Sequence, residues 1–251
     1  MRQSDNSAVI ISIPRDLYVN IPGYGYSKIN AAYEYGEQDN FSEAGYATGG
    51  MGLLEKTVQQ VTGINTNYYA LINYTAFKDA VDAVGGISLT INSSDQRGIY
   101  DPNTNLNLPN GTVNLNGQTA LNLARARGEG YGSYGIDEGD FIRTNYQQQI
   151  LIALKEKLTT SGVELNPVAI SKLVAAFGDN VKTDLKLGEI LSLYSTTKSI
   201  STNSMKNYNL NDINGTNLLD YYTTTDGQST LIPADGIDEY STIQDYINQL
   251  L

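Results

Sequence analysis

Cysteine, histidine and tryptophan are all missing from this 251-residue chain. Without cysteine there is no thiol nucleophile, no disulfide and no zinc–thiolate centre. Without histidine, neither a Ser-His-Asp triad nor a histidine base can be assembled. Chemistry must therefore run on carboxylates, arginine, lysine, tyrosine, hydroxyls or a metal held by oxygen ligands. Long apolar runs are lacking too, and none approaches the ~20 residues needed to cross a bilayer. Met1 is followed by Arg2-Gln3-Ser4-Asp5-Asn6, too polar a start for a signal peptide. Positive charge is scarce. With 16 Lys and Arg against 27 Asp and Glu, the formal net charge is −11, which excludes the broad basic surface that duplex binding requires. No nucleic acid partner is expected.

What remains is the composition of an ordinary globular protein, 40% hydrophobic and 17% charged. Tyrosine is frequent at 19 residues while Phe is down to 4, a pattern common among exported bacterial proteins. Four of the six arginines (Arg15, Arg125, Arg127, Arg143) fall in three short segments. An acidic chain that concentrates its arginines in this way points to a local anion pocket.

Along the chain, Ala8–Ile13 is short, β-branched and apolar on both faces, which reads as a central strand ended by Pro14. Helical pieces are expected near Ile29–Tyr35 and Met51–Val61, the second stopped by Gly63. Tyr68–Ile72 and Ile87–Ile91 read as strands around an amphipathic helix over Thr75–Val84. Residues 92–114 are polar and turn-rich, and read as a surface loop. Helices follow at Gly117–Ala124 and Phe141–Leu158, with others over 167–177, 186–197 and 238–250, and Met205–Leu210 as a late strand. The alternation predicts one α/β domain over 1–251: a central mixed sheet flanked by helices in α-β-α layers. Opening on a central strand also leads to the expectation that the first strands lie upstream and are missing.

Three segments could carry chemistry. Ser12-Ile13-Pro14-Arg15-Asp16 stands at the carboxyl end of a strand, where open α/β sheets bind ligands; the alternative is that Arg15 and Asp16 pair with each other or cap a turn. Arg125 and Arg127 are two apart, so they share a face only where the chain is extended beyond the helix end. Side by side they suit phosphate oxygens, although a plain exposed pair at a helix C-terminus is the more common reading. Asp140, Arg143 and Gln147 recur at i, i+3 and i+7 on one helix, with Asp140 a candidate N-cap; an ordinary solvated helix face would look the same. Between the last two segments, Gly128–Gly139 reads as a mobile loop.

Taken in order, Ser-Ile-Pro-Arg15-Asp16, Lys28-Ile29-Asn30-Ala31-Ala32-Tyr33, Val81-Asp82-Ala83-Val84-Gly85-Gly86-Ile87, Leu115-Asn116-Gly117 with Ala124-Arg125-Ala126-Arg127, and Asp140-Phe141-Ile142-Arg143 with Gln147-Gln148 resemble the LytR-CpsA-Psr family. Each motif alone is weak evidence, whereas five in order are specific. The resemblance is strong over residues 8–160 and weaker over 161–251. It implies a membrane-anchored phosphotransferase acting outside the cytoplasmic membrane. Such an enzyme moves a glycopolymer from a polyprenyl-pyrophosphate carrier to a peptidoglycan acceptor, with the lipid in an apolar tunnel. By position, Arg15, Lys28, Arg125, Arg127, Arg143 and Gln147 would bind the pyrophosphate, and Arg15, Asp16, Asp140 and Arg143 would serve catalysis.

Three departures from the family pattern stand out. The family's magnesium is held by aspartates before the strand that here begins at Ala8, so no metal ligand is expected in this chain, and the membrane anchor is expected to be missing with them. Tyr146 stands where the family usually has an arginine, and the insert between Arg127 and Arg143 is longer than usual. Rival readings are a non-catalytic binder of polyprenyl phosphate or cell-wall glycan, a glycoside hydrolase using Asp16 and Asp140, and a solute-binding module.

Overall fold

The β-branched run near the start forms β1 (Ala8–Ser12), paired in parallel with β10 (Met205–Asn209) from Ala8↔Met205 to Ser12↔Asn209. Read as a central strand, β1 is half-buried at every position, and β10 is its one ladder partner among the described residues. The structure is a computed structural model that describes residues 7–136, 140–160, 178–210 and 217–251. Chain contacts divide it into two units, Met1–Tyr69 with Met205–Leu251, and Ala70–Ser204.

In the first unit, β2 (Tyr18–Ile21) and β3 (Gly25–Lys28) make an antiparallel hairpin. Its turn needs Gly23, whose φ of 87° lies in the left-handed region. Two helices follow, α1 (Ala31–Gln38) and α2 (Gly50–Thr62). They cross where glycines let the backbones meet, because a Cβ on Gly36 would stand 2.8 Å from the Gly49 carbonyl oxygen. Gly63 ends α2 at φ 72°, as its place in the sequence predicts. A second antiparallel hairpin, β11 (Leu219–Thr223) and β12 (Ser229–Pro233), joins β2 through a parallel bridge between Leu17 and Leu231, and α7 (Ser241–Leu250) closes the unit. Leu17, Val19, Ile21, Leu53, Val61 and Ile247 are fully buried in its core.

The second unit opens with β4 (Ala70–Ile72), paired with β9 (Val181–Thr183), and α3 (Tyr74–Ala83), capped by the Asn73 side chain. Next come β5 (Ile87–Ile91), β6 (Ile99–Asp101), β7 (Leu106–Leu108) and β8 (Gly111–Leu115), with β5 on β8 and β6 on β7, both antiparallel. This corrects the surface-loop reading of 92–114. The turn residues are hairpin ends, and between them Ile99, Leu106 and Leu108 alternate inward into the core. Asn116 caps α4 (Gly117–Arg125), its side chain accepting from the Thr119 N–H at 2.8 Å. Helices α5 (Asp140–Thr160) and α6 (Leu187–Ser199) follow, while the helix expected over 167–177 lies outside the described residues. The α/β class expected from the sequence is the class observed, with parallel and antiparallel pairs both present.

Leu123 is fully buried on α4, facing the core of the second unit. Leu123→Ala is expected to destabilise this unit by about 2–5 kcal/mol, read as a fall in urea midpoint with an unchanged slope.

Candidate functional site

Pro14 stops β1, and the chain turns at once, the Leu17 N–H donating to the Pro14 carbonyl at 3.1 Å. Arg15 and Asp16 sit on this turn. The Asp16 main-chain oxygen accepts from Leu231 at 3.1 Å, which holds the turn against β12. Lys28, the last residue of β3, brings its ammonium to 2.8 Å from the Asp16 carboxylate, and the Arg15 Nε lies 3.4 Å from its other oxygen. The sequence alternative of a plain Arg15–Asp16 pair is thus only part of the arrangement, since the closer partner is Lys28. Partial burial works to raise the Asp16 pKa, but the hydrogen bond and charge of Lys28 and then the charge of Arg15 outweigh it, and the carboxyl ends below its ordinary value. Two cations around one carboxylate leave a net positive turn, with the Arg15 side chain 59% exposed.

In the second unit, α4 ends at Arg125 and Ala126 swings to extended backbone at φ −62°, ψ 135°. Arg125 is thus the last helical residue, and Arg127 lies in the extended chain just beyond it. The transition is held from below by Asp101, only 1% exposed. Its carboxylate accepts from the Arg127 N–H at 2.8 Å, the Gly128 N–H at 3.1 Å and the Thr104 N–H at 3.1 Å. Gly128 takes φ 70°, a conformation that favours glycine. The Arg125 guanidinium lies over the Tyr74 ring at 4.8 Å from its centroid, which orients it without consuming its charge. Arg127 has Glu129 at 3.7 Å, a loose and solvent-screened pair.

Helix α5 packs on α4 and completes this group. The Gln147 amide donates to the Ala124 carbonyl at 2.8 Å, placing it at the end of α4 that carries the arginines. Arg143 is half-buried four residues earlier, on the helix face of Gln147. Asp140 opens α5 as its first helical residue, and its side chain lies outside the described residues. The structure thus brings Arg15, Asp16 and Lys28 together in one unit, and Arg125, Arg127 and Gln147 in the other.

Residues 128–136 are tied down, contrary to the mobile loop read from their glycines. Tyr134 exchanges backbone hydrogen bonds with Tyr100 at 3.0 Å each way, the two rings stack at 5.5 Å, and the Arg97 guanidinium covers Tyr134 at 3.9 Å. Residues 137–139 lie outside the described ones. An open cleft of about 500 Å³ lies at the other end of α4, lined by Asp82, Ser88, Asn116 and Lys157 among others. Its polar groups largely satisfy one another, with Asp82 accepting from the Gly117 N–H at 2.7 Å and Ser88 donating to Asn114 at 2.6 Å. Among the described residues, no cluster of three or more carboxylates could hold a metal ion, and no helix is long and apolar enough to cross a membrane.

The order of these motifs has a counterpart outside the chain, since the LytR_cpsA_psr family model matches residues 1–232. The chain belongs to the LytR_cpsA_psr family. It is 30% identical over 211 residues to the polyisoprenyl-teichoic acid–peptidoglycan teichoic acid transferase TagT of Bacillus subtilis, covering 82% of this chain and 58% of that protein. To the probable cell wall biosynthesis protein LcpB of Corynebacterium glutamicum it is 31% identical over 212 residues, covering 81% and 45%. A structure described as TagT bound to LIIa-WTA superposes with a TM-score of 0.71 at 25% identity, covering 98% of this chain and 79% of that one. The chain spans about half the length of the curated relatives it matches.

Tyr146, which the resemblance puts at a position expected to hold arginine, is 7% exposed in the core of the second unit, where burial raises its pKa. That position points inward here, so a tyrosine ring fits where a cation would be desolvated. Sequence reading missed Asp101, because it fell in a stretch taken as loop. The available signal was the inward alternation of Ile99 and Asp101, repeated by Leu106 and Leu108.

Two predictions follow from this geometry. Asp101→Ala leaves three part-buried N–H groups without their acceptor and is expected to cost about 2–3 kcal/mol; Asp101→Asn, which keeps one carbonyl oxygen, is expected to cost less in the same chemical denaturation. Because the Asp16 pKa lies below its unfolded value, its contribution to stability is present above the unfolded pKa and is lost as pH falls through the folded one. Lys28→Met removes the leading lowering cause, so the Asp16 carboxyl resonance is expected to titrate at higher pH than in the parent.

Proposed function

We propose that the chain is the catalytic portion of an extracytoplasmic transferase that moves a glycopolymer from a polyprenyl-pyrophosphate carrier to peptidoglycan. The observation that carries this reading is the Arg125–Arg127 exit from α4, pinned by a buried carboxylate, in a chain whose curated relatives are named as teichoic acid transferases. Guanidiniums that are oriented before the substrate arrives can bind pyrophosphate oxygens through paired hydrogen bonds. They also stabilise the charge that builds as phosphorus changes partners, which is where most catalysis of phosphoryl transfer originates.

In the proposed reaction, an acceptor sugar hydroxyl forms a bond to the glycan-linked phosphorus. The bridging P–O bond breaks, and polyprenyl phosphate leaves. Arg125, Arg127, Arg143 and Gln147 of the second unit are proposed phosphate ligands, and Arg15 and Lys28 of the first unit are proposed as an anion-binding group in their own right. Asp16 orients Arg15 and Lys28, and Asp140 is the proposed acceptor of the hydroxyl proton. The described residues offer no donor set that fits the magnesium implied by the resemblance. A glycosidase reading is disfavoured by Asp16 itself, whose pKa is lowered where a general acid needs it raised.

Calorimetric titration with a ten-carbon polyprenyl pyrophosphate tests the reading. The parent is expected to bind, and the Arg125→Ala/Arg127→Ala double variant to bind roughly 100-fold more weakly. Unchanged affinity in the variant would refute the assignment. Binding by the parent with no transfer to a peptidoglycan acceptor would support the non-catalytic alternative.

A further inference from the structure

The Lys28–Asp16 turn continues into an aromatic surface that the phosphate reading does not use. In the β2–β3 ladder Tyr18 faces Lys28 and Asn20 faces Tyr26, while Val19 and Ile21 turn inward with no exposure. Tyr18, Asn20, Tyr26 and Lys28 therefore share the outer face of the hairpin. On it the Tyr18 and Tyr26 rings stack at 5.7 Å with 22° between planes, and Tyr222 of β11 extends the row, 5.9 Å from Tyr18. Tyr26 is 49% exposed.

Cross-strand packing accounts for a Tyr18–Tyr26 diagonal pair, but two features go beyond it. The third ring comes from another hairpin. The Tyr26 hydroxyl, moreover, donates to Asp238, a residue distant in sequence that is held at φ 66° and also accepts from the Tyr240 hydroxyl at 3.0 Å. Aspartate tolerates this left-handed conformation in turns, and the two tyrosine hydroxyls hold its carboxylate in place. The tether fixes an exposed ring, so that ordering it on binding carries little entropic cost.

We infer that the Tyr18–Tyr26–Tyr222 face is the subsite for the sugar ring next to the phosphate of the donor. This rests on the pyrophosphate-linked glycan reading above and names the residues that recognise its sugar. The faces of the aromatic rings carry the negative lobe of the π quadrupole, which suits the weakly positive C–H groups on one side of a pyranose. Asn20 and Asp238 at the margins can hydrogen-bond its hydroxyls, and Lys28, directly across the ladder from Tyr18, lies on the phosphate side.

Two arms separate failure of this inference from failure of the reading beneath it. In the first, the parent, Tyr26→Ala and Tyr26→Phe are titrated with a ten-carbon polyprenyl pyrophosphate and with the same lipid bearing N-acetylglucosamine. The sugar is expected to strengthen binding to the parent roughly tenfold. Tyr26→Ala is expected to lose that gain and keep the affinity for the sugarless lipid, while Tyr26→Phe, which retains the ring, keeps most of the gain. Equal affinity of the parent for the two lipids, or a gain that survives in a Tyr26→Ala/Tyr222→Ala variant, would overturn the inference.

In the second arm, saturation-transfer NMR with chitotetraose probes the rings without any phosphate. Transfer to the sugar C–H protons in the parent, absent in Tyr26→Ala, is the expected result, and it stands even if neither lipid binds. No transfer in the parent would reduce the row to sheet packing. Displacement of chitotetraose by uridine would reassign the face to a nucleobase.

Discussion

Where the chain leaves α4 is decided by a carboxylate that water hardly reaches. Asp101 accepts three main-chain N–H groups, two from the residues that follow Arg125 and one from the turn of its own hairpin. A buried charge is tolerable only when its hydrogen-bonding capacity is used, and here each bond also fixes a piece of backbone. The β6–β7 hairpin and the exit of α4 are thereby locked as one object. The directions of Arg125 and Arg127 follow from it, because the first is set by helical and the second by extended geometry. The Gln147 bond to Ala124 fastens α5 to the same corner, so the cationic end of α4 is held from two sides.

The electrostatics of the protein are local rather than global. With a net charge of −11, the molecule as a whole repels anions, yet each unit holds a place where cations outnumber carboxylates. In the first, Asp16 draws Lys28 and Arg15 to itself and loses its affinity for a proton in doing so. Tyr74 plays a different part in the second, since a ring orients Arg125 without neutralising it. Elsewhere carboxylates pair with neighbours that have no part in either group, as Asp95 does with Arg97, which pulls its pKa down to about 2. Such a distribution keeps local positive groups on a strongly acidic protein.

Much of this was legible in the residues, because helices and glycine stops announce themselves through period and punctuation. The start of α4 at Gly117, the Gly63 stop and the Ile87–Ile91 strand are where the sequence puts them. Arg15 beside a strand end and Arg125 at a helix end could be marked from pattern alone. The errors have physical causes. Residues 92–114 pack two short strands between turn residues, and windows three residues long carry too little alternation to outweigh Asp, Asn, Pro and Gly. Asp101 went unseen for the same reason, since its role depends on backbone donors brought from a helix end 26 residues later. The glycines of 128–135 read as mobility, whereas their left-handed angles serve a turn held by Ser133 and the Tyr100–Tyr134 ladder.

The inward-facing Tyr146 limits what its position on α5 can accept. Its ring fills part of the core with Ile150 and Ala153 on the same helix, so its neighbours fit an aromatic volume. An arginine there would set an ion among apolar side chains shaped around a ring. A change of charge on this helix is therefore open to its exposed face, as at Gln147, and closed to the face that Tyr146 occupies.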